Sequence, residues 1–144
     1  KYFDKVDFTF KFNASRANYR RNGDVVSLSP RESKEVIFHE LGHSLENNKF
    51  VLKVAVDFLN KRTKDSKVLS LKKEVNNSYT ADEKFKRGDF FTEYVGKIYG
   101  GIRYNGIDST EIISMGIEQM YKNPHQFYLL DKEHFELIYN LFIR

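Results

Sequence analysis

Apolar and polar positions alternate over Val6, Phe8, Phe10 and Phe12, with Asp7, Thr9 and Lys11 between them. A period of two puts one set on one face, so the pattern predicts a half-buried strand over residues 6–12. A polar break follows at 13–15. Residues 18–21 and 24–28 then flank Asn22-Gly23, a two-residue hairpin signal. Beyond it the period becomes helical. Val36, Ile37, Leu41 and Leu45 form one stripe, and Ser29-Pro30-Arg31-Glu32 reads as N-cap, first-turn proline and capping-box acid. The prediction is a helix over 30–47, broken at Asn47-Asn48. Phe50, Val51, Val54, Ala55, Phe58 and Leu59 predict a second helix to about residue 62. Residues 63–88 are charged and irregular, with a short strand or helical turn expected at 68–71. Residues 90–95 and 98–104 are aromatic and β-branched, separated and ended by Gly96, Gly100, Gly101 and Gly106, and read as a hairpin or extended loop. A third helix is expected from Asp108 or Ser109 to about residue 122. Asn123-Pro124 stops it and starts a short helical turn. A final amphipathic helix covers 132–142. Strands first and helices after predict an α+β fold, with a small N-terminal twisted sheet and a mostly helical C-terminal half.

Composition narrows the class. A chain of 144 residues is expected to form one domain, 1–144, large enough to bury a core. Its 40% hydrophobic content argues for a folded globule over a disordered segment. No run reaches the length of a membrane span and no signal peptide is visible, so a soluble protein without a membrane partner is expected. The first residue is Lys rather than Met, which suggests a piece of a longer chain. Zero Cys removes disulfides, thiolate ligands and a Cys nucleophile. The net charge of +4 is mild. Basic residues gather in 61–73 and 84–87, but acids interleave with them. That is the pattern of a solvated face, and nucleic acid is not the expected partner.

The candidate chemistry lies in His39-Glu40-Leu41-Gly42-His43. On a helix, i and i+4 share a face one turn apart, so two imidazoles so spaced can bind one zinc ion. The glutamate between them points near the same ion and can activate a zinc-bound water. The motif falls in mid-helix beside the apolar stripe. Gly42 costs about 1 kcal/mol there against Ala. Its presence suggests that another backbone packs closely on this helix.

A catalytic zinc usually has three protein ligands and one open position. The extended pattern that supplies a third His is excluded, since Glu46 and Lys49 stand at the matching positions. Carboxylates on the third helix are better candidates than His125 or His134. Glu111 and Glu118 lie two turns apart on one face with Ser114 and Met115, and Glu111 sits where the helix dipole favours an anion. Glu111 also reads simply as a first-turn acid in Asp108-x-x-Glu111. Glu118, Asp89, Glu93, Asp108 and His125 stay open as alternatives. A carboxylate that does not bind zinc can hold the second ring nitrogen of a histidine.

His-Glu-Leu-Gly-His with a glutamate on a later helix resembles the gluzincin branch of zincin metallopeptidases. Arg16-Ala17-Asn18-Tyr19, the hairpin, His39–His43, Phe91 to Tyr99 and Thr110-Glu111-Ile112-Ile113-Ser114-Met115-Gly116 together resemble a small zincin-like domain. That domain occurs in phage head-morphogenesis (minor capsid) proteins and in bacterial toxin-like multidomain proteins. The resemblance spans about residues 16–130. It implies a zincin-like fold, Glu111 as the third zinc ligand, and a parent chain with other domains. The parent would sit in a bacterial cytoplasm or phage particle, or be delivered as part of a secreted toxin. Tyr94, Gly96, Lys97 and Tyr99 match the family's Tyr-rich block.

The activity expected is zinc-dependent hydrolysis of peptide bonds in a peptide or protein substrate. Glu40 takes a proton from the zinc-bound water and delivers it to the leaving amine. Tyr94 and Tyr99 are the foremost candidates to stabilise the oxyanion, with Tyr104 and Arg103 behind them. An exposed sheet edge would let a peptide add as an extra strand. Two rival classes stand beside this one. In the first, zinc is bound at a closed, non-catalytic site of a structural or interaction module, although no structural site needs Glu40. In the second, the domain binds nucleic acid or capsid and the motif is incidental.

Overall fold

The computed structural model describes residues 9–64 and 66–143. The chain is mixed α and β, with two small sheets and six α-helices among the described residues. It divides into two compact units. One is built from Lys1–Asn48 and Ile113–Arg144, the other from Lys49–Ile112.

The first unit opens with a three-stranded sheet of order β1-β3-β2, formed by Thr9–Lys11 (β1), Asn18–Arg20 (β2) and Val25–Ser27 (β3). Strand β3 is central, antiparallel to β2 and parallel to β1, which leaves β1 and β2 as edges. Residues 6–8 of the expected first strand lie outside the described residues. The expected hairpin is present, but its loop is longer than two residues. Arg20 pairs with Val25, so residues 21–24 all turn. Positive φ falls on Gly23 (+86°) and Asp24 (+47°). Asp24 tolerates the left-handed conformation because its short carboxylate bonds locally. It accepts from Tyr19 Oη at 2.5 Å and from Asn47 Nδ2 at 2.5 Å.

Helix α1 spans Lys34–Leu45 and starts a turn later than the sequence signal. Ser33 is the true N-cap, its Oγ accepting from Val36 N at 3.4 Å. Ser29 and Glu32 do make the expected side-chain contact, Oγ to Oε2 at 2.8 Å. They close a turn ahead of the helix, not its first turn. The unit ends in three helices, α4 (Ile112–Lys122), α5 (Pro124–Leu130) and α6 (Lys132–Ile143); the division between units falls just inside α4. Asn123 caps α5 by accepting from Gln126 N at 3.0 Å, with Pro124 in the first turn. Phe127, His134, Ile138 and Leu141 are buried where α5 and α6 pack together.

In the second unit, α2 (Lys49–Arg62) buries Val51, Leu52, Ala55, Val56, Phe58 and Leu59; of the stripe read from sequence, Phe50 is exposed and Val54 half-buried, and Leu52 and Val56 are buried instead. It packs on β6 and β7 of a four-stranded antiparallel sheet. That sheet has the order β4-β5-β6-β7, from Val68–Ser70 (β4), Lys84–Lys86 (β5), Lys97–Tyr104 (β6) and Ile107–Thr110 (β7). A four-residue helix, Leu71–Glu74 (α3), follows β4, and a 3-10 turn at Glu93–Gly96 leads into β6.

Two expectations change here. Residues 90–95 do not pair as a strand; the hairpin is β6 with β7, closed by Asn105-Gly106. Both loop residues have positive φ (+49° and +78°), the mark of a type I′ turn. The helix expected from residue 108 begins at Ile112, because residues 107–110 are taken by β7. Thr110 Oγ1 then accepts from Ile112 N at 3.1 Å. No helix among the described residues is long and apolar enough to cross a membrane.

Candidate metal centre

The site is built on α1 and the head of α4. One ligand atom from each of His39, His43 and Glu111 lies within 4.8 Å of the other two. Among the described residues this is the group of His and acidic side chains able to hold a metal ion. The two imidazoles project from successive turns of α1, their centroids 5.0 Å apart and their planes at 81°. Tetrahedral zinc with bonds of about 2.0–2.1 Å holds its ligand atoms roughly 3.3 Å apart, so a set gathered within 4.8 Å needs at most a short side-chain adjustment to meet one ion. Two neutral imidazoles and one carboxylate are also the donor set of a catalytic zinc site. The residues therefore fit the ion. Glu40, between the two His, is 8% exposed and belongs to the same stretch of α1.

Helix α1 is held against α4 by three contacts along their length. His39 Nδ1 lies 2.9 Å from Glu118 Oε2. With Nδ1 on Glu118, Nε2 is the ring nitrogen that would coordinate a metal. One turn along, a methyl group at Gly42 would sit 2.5 Å from Ser114 Cα. The close backbone approach expected at this glycine is thus present, and the partner is α4. Phe38 stacks on Tyr121 at 4.5 Å between centroids.

Glu111 is fully buried and directly precedes α4. Tyr99 Oη donates to its Oε1 at 2.6 Å. The Tyr99 ring stays 37% exposed while its hydroxyl turns onto the buried carboxylate. The charge of Glu111 also acts on the Tyr94 hydroxyl. Burial pushes both phenols well above the ordinary tyrosine range, and the negative charge of Glu111 adds to the effect. Both therefore remain protonated donors at neutral pH.

The other candidates are engaged elsewhere. Glu118 holds His39. Asp108 accepts from the backbone N–H groups of Ile102 (2.8 Å) and Arg103 (3.1 Å). Glu93 pairs with Arg87 at 3.0 Å. Arg103 donates to the Asp108 carbonyl, and Tyr104 donates to Asp57 Oδ1 at 3.0 Å. His125 is exposed on α5. His134 is fully buried edge-on to Phe127, with α4 passing so close that a methyl at Gly116 would lie 2.8 Å from its Nε2.

Sequence reasoning gave no role to Glu83 or Lys97. Lys97 is 5% exposed, and its Nζ donates to Glu83 Oε1 at 2.7 Å and to Tyr94 Oη at 3.3 Å. A signal was present: in a strand, Lys97 and Tyr99 share a face. No protein-family model matches the chain, and no curated protein or solved structure matches it either.

Proposed function

We propose that the chain is a zinc-dependent peptide-bond hydrolase of the zincin class. His39, His43 and Glu111 would hold the ion, and Glu40 would serve as general base and acid. The observation that carries this reading is the convergence of those three ligand atoms within 4.8 Å, on the helix that also bears Glu40. Two imidazoles and a carboxylate leave a zinc ion with net positive charge, and in such a site it acidifies water and polarises a carbonyl.

The chain's own residues do the rest. Glu40 accepts the proton of the attacking water and passes it to the leaving amine. Glu118, on Nδ1 of His39, fixes that ring's tautomer and orientation. Tyr99 points its hydroxyl at Glu111, which makes it a holder of the metal carboxylate in the resting site. Among the described residues β1 and β2 are the edges of the first sheet, and a peptide would lie extended along one of them.

The test is cleavage of a mixed peptide library by the zinc-loaded protein, read by mass spectrometry beside Glu40→Gln. The reading expects new termini from wild type, their loss on chelation and return with zinc, and at least about a 100-fold slower rate in Glu40→Gln. Equal cleavage by wild type and Glu40→Gln would contradict it. Zinc binding with no cleavage of any peptide would favour the non-catalytic module instead.

A further inference from the structure

A buried ammonium stands behind the candidate ligand Glu111. Lys97 opens β6, and its neighbours all come from the same compact unit. Glu83 Oε1 accepts a hydrogen bond from its Nζ at 2.7 Å, with the two side chains only 6% and 13% exposed. The ring of Tyr94 lies 5.0 Å from Nζ and the ring of Tyr99 4.7 Å. An ammonium has no lone pair, so at 3.3 Å the Tyr94 oxygen can only accept. The Tyr94 proton is thereby turned away from Lys97. Tyr99, on the same face of β6, donates to Glu111 at 2.6 Å.

Packing alone does not account for a lysine here. Buried ion pairs can often be replaced by apolar residues of similar volume at no loss of stability. A leucine or methionine would fill the same space without desolvating a charge. What the ammonium adds is a directed donor for Tyr94 and a charge over two aromatic faces.

We propose that Lys97, clamped by Glu83, is a positioning residue that holds the rings of Tyr94 and Tyr99 in place, keeps the Tyr99 hydroxyl on Glu111, and so presents that carboxylate to zinc in one orientation. The inference rests on the zinc reading above. Residues that orient a metal ligand typically change metal affinity about 10- to 100-fold when removed.

The experiment measures zinc affinity by competition with a chromophoric chelator, and the visible d–d spectrum of the cobalt-loaded protein. It uses wild type, Lys97→Met, Tyr94→Phe, and the double variant Glu83→Gln with Lys97→Met. The double variant removes both charges together, so no lone buried carboxylate is left to unfold the protein. Lys97→Met and the double variant should each lose about 10-fold or more in zinc affinity and change the cobalt spectrum. Whatever weakened zinc affinity Glu111→Ala retains should be unchanged by the same substitutions on that background, since there is no carboxylate left to orient. Wild-type affinity and spectrum in a folded double variant would overturn the positioning role while leaving the zinc site standing. An equal loss with and without Glu111 would overturn it too, by showing a general structural effect. Absence of zinc binding in wild type would remove the zinc reading, and this role with it.

Discussion

His39 Nδ1 and Glu118 Oε2 lie 2.9 Å apart, joining the first histidine of the His-Glu-x-x-His motif to a carboxylate 79 residues along the chain. The Nδ1 side of the ring is therefore held by a protein carboxylate. Replacing Glu118 by Gln keeps the size and removes the charge. Zinc affinity should fall by about 10- to 100-fold. The fold should survive, because the Glu118 side chain is 22% exposed. Chelator competition and a thermal melt on the same sample check both halves; an unchanged affinity would reduce the contact to helix packing.

Gly42 sets how closely α1 approaches α4. A β-carbon there meets backbone at 2.5 Å, and backbone cannot swing aside as a flexible side chain can. Gly42→Ala should cost about 1–3 kcal/mol in spite of alanine's better helix propensity. Gly100 is the contrast. A methyl there meets nothing within 4 Å. Gly100→Ala should be neutral or stabilising by up to about 1 kcal/mol. Denaturant unfolding of the two variants side by side checks the pair, and similar midpoints would contradict the close crossing.

Acid should weaken the second unit through Glu83. Burial works to raise its carboxyl, but the hydrogen bond and charge of Lys97, together with the hydrogen bonds from the Thr80 N–H and hydroxyl, outweigh it and hold the group below the ordinary value of 4.5. A carboxylate depressed in the folded state adds stability above the unfolded value. That stability is lost as pH falls through the folded one. The stability of wild type over Glu83→Gln should therefore be greatest near neutral pH and shrink as the pH drops below about 4.5. Melting temperatures across that range decide it; a constant difference would mean that the pair carries no charge-linked stability.

The legible parts of this chain were those with long, repeated signals. Helices α2 and α6 carry apolar positions over two or more turns and stand where that spacing put them, α4 was legible except for its start, which β7 displaces to Ile112, and α5 was legible from Asn123-Pro124. The His39 and His43 pair was legible because four residues of helix fix its geometry. Gly42 was legible as a misfit, a helix-breaking residue in mid-helix that needed a close neighbour. The strands were harder. Strand β5 has one buried residue, Phe85, between Lys84 and Lys86, and three residues give no period to read. Asn-Gly occurs twice with opposite outcomes. Asn105-Gly106 closes a tight two-residue loop, whereas around Asn22-Gly23 residues 21–24 all turn, and Asp24 is held there by its bonds to Tyr19 and Asn47. The start of α1 was misplaced because Ser29 and Glu32 form their reciprocal contact in an isolated turn, and a second serine, Ser33, caps the helix itself. The Glu83–Lys97 pair was illegible for a different reason: the antiparallel register that sets Phe85 opposite Lys97 is a tertiary fact.

The most direct test of the central claim is zinc stoichiometry by elemental analysis on purified wild type, His39→Ala and Glu111→Ala after equal exposure to zinc and removal of the excess. The account predicts one zinc per chain in wild type and its loss or severe reduction in both variants, each still folded by circular dichroism. Wild type without zinc, or a Glu111→Ala protein that keeps a full equivalent, would contradict it.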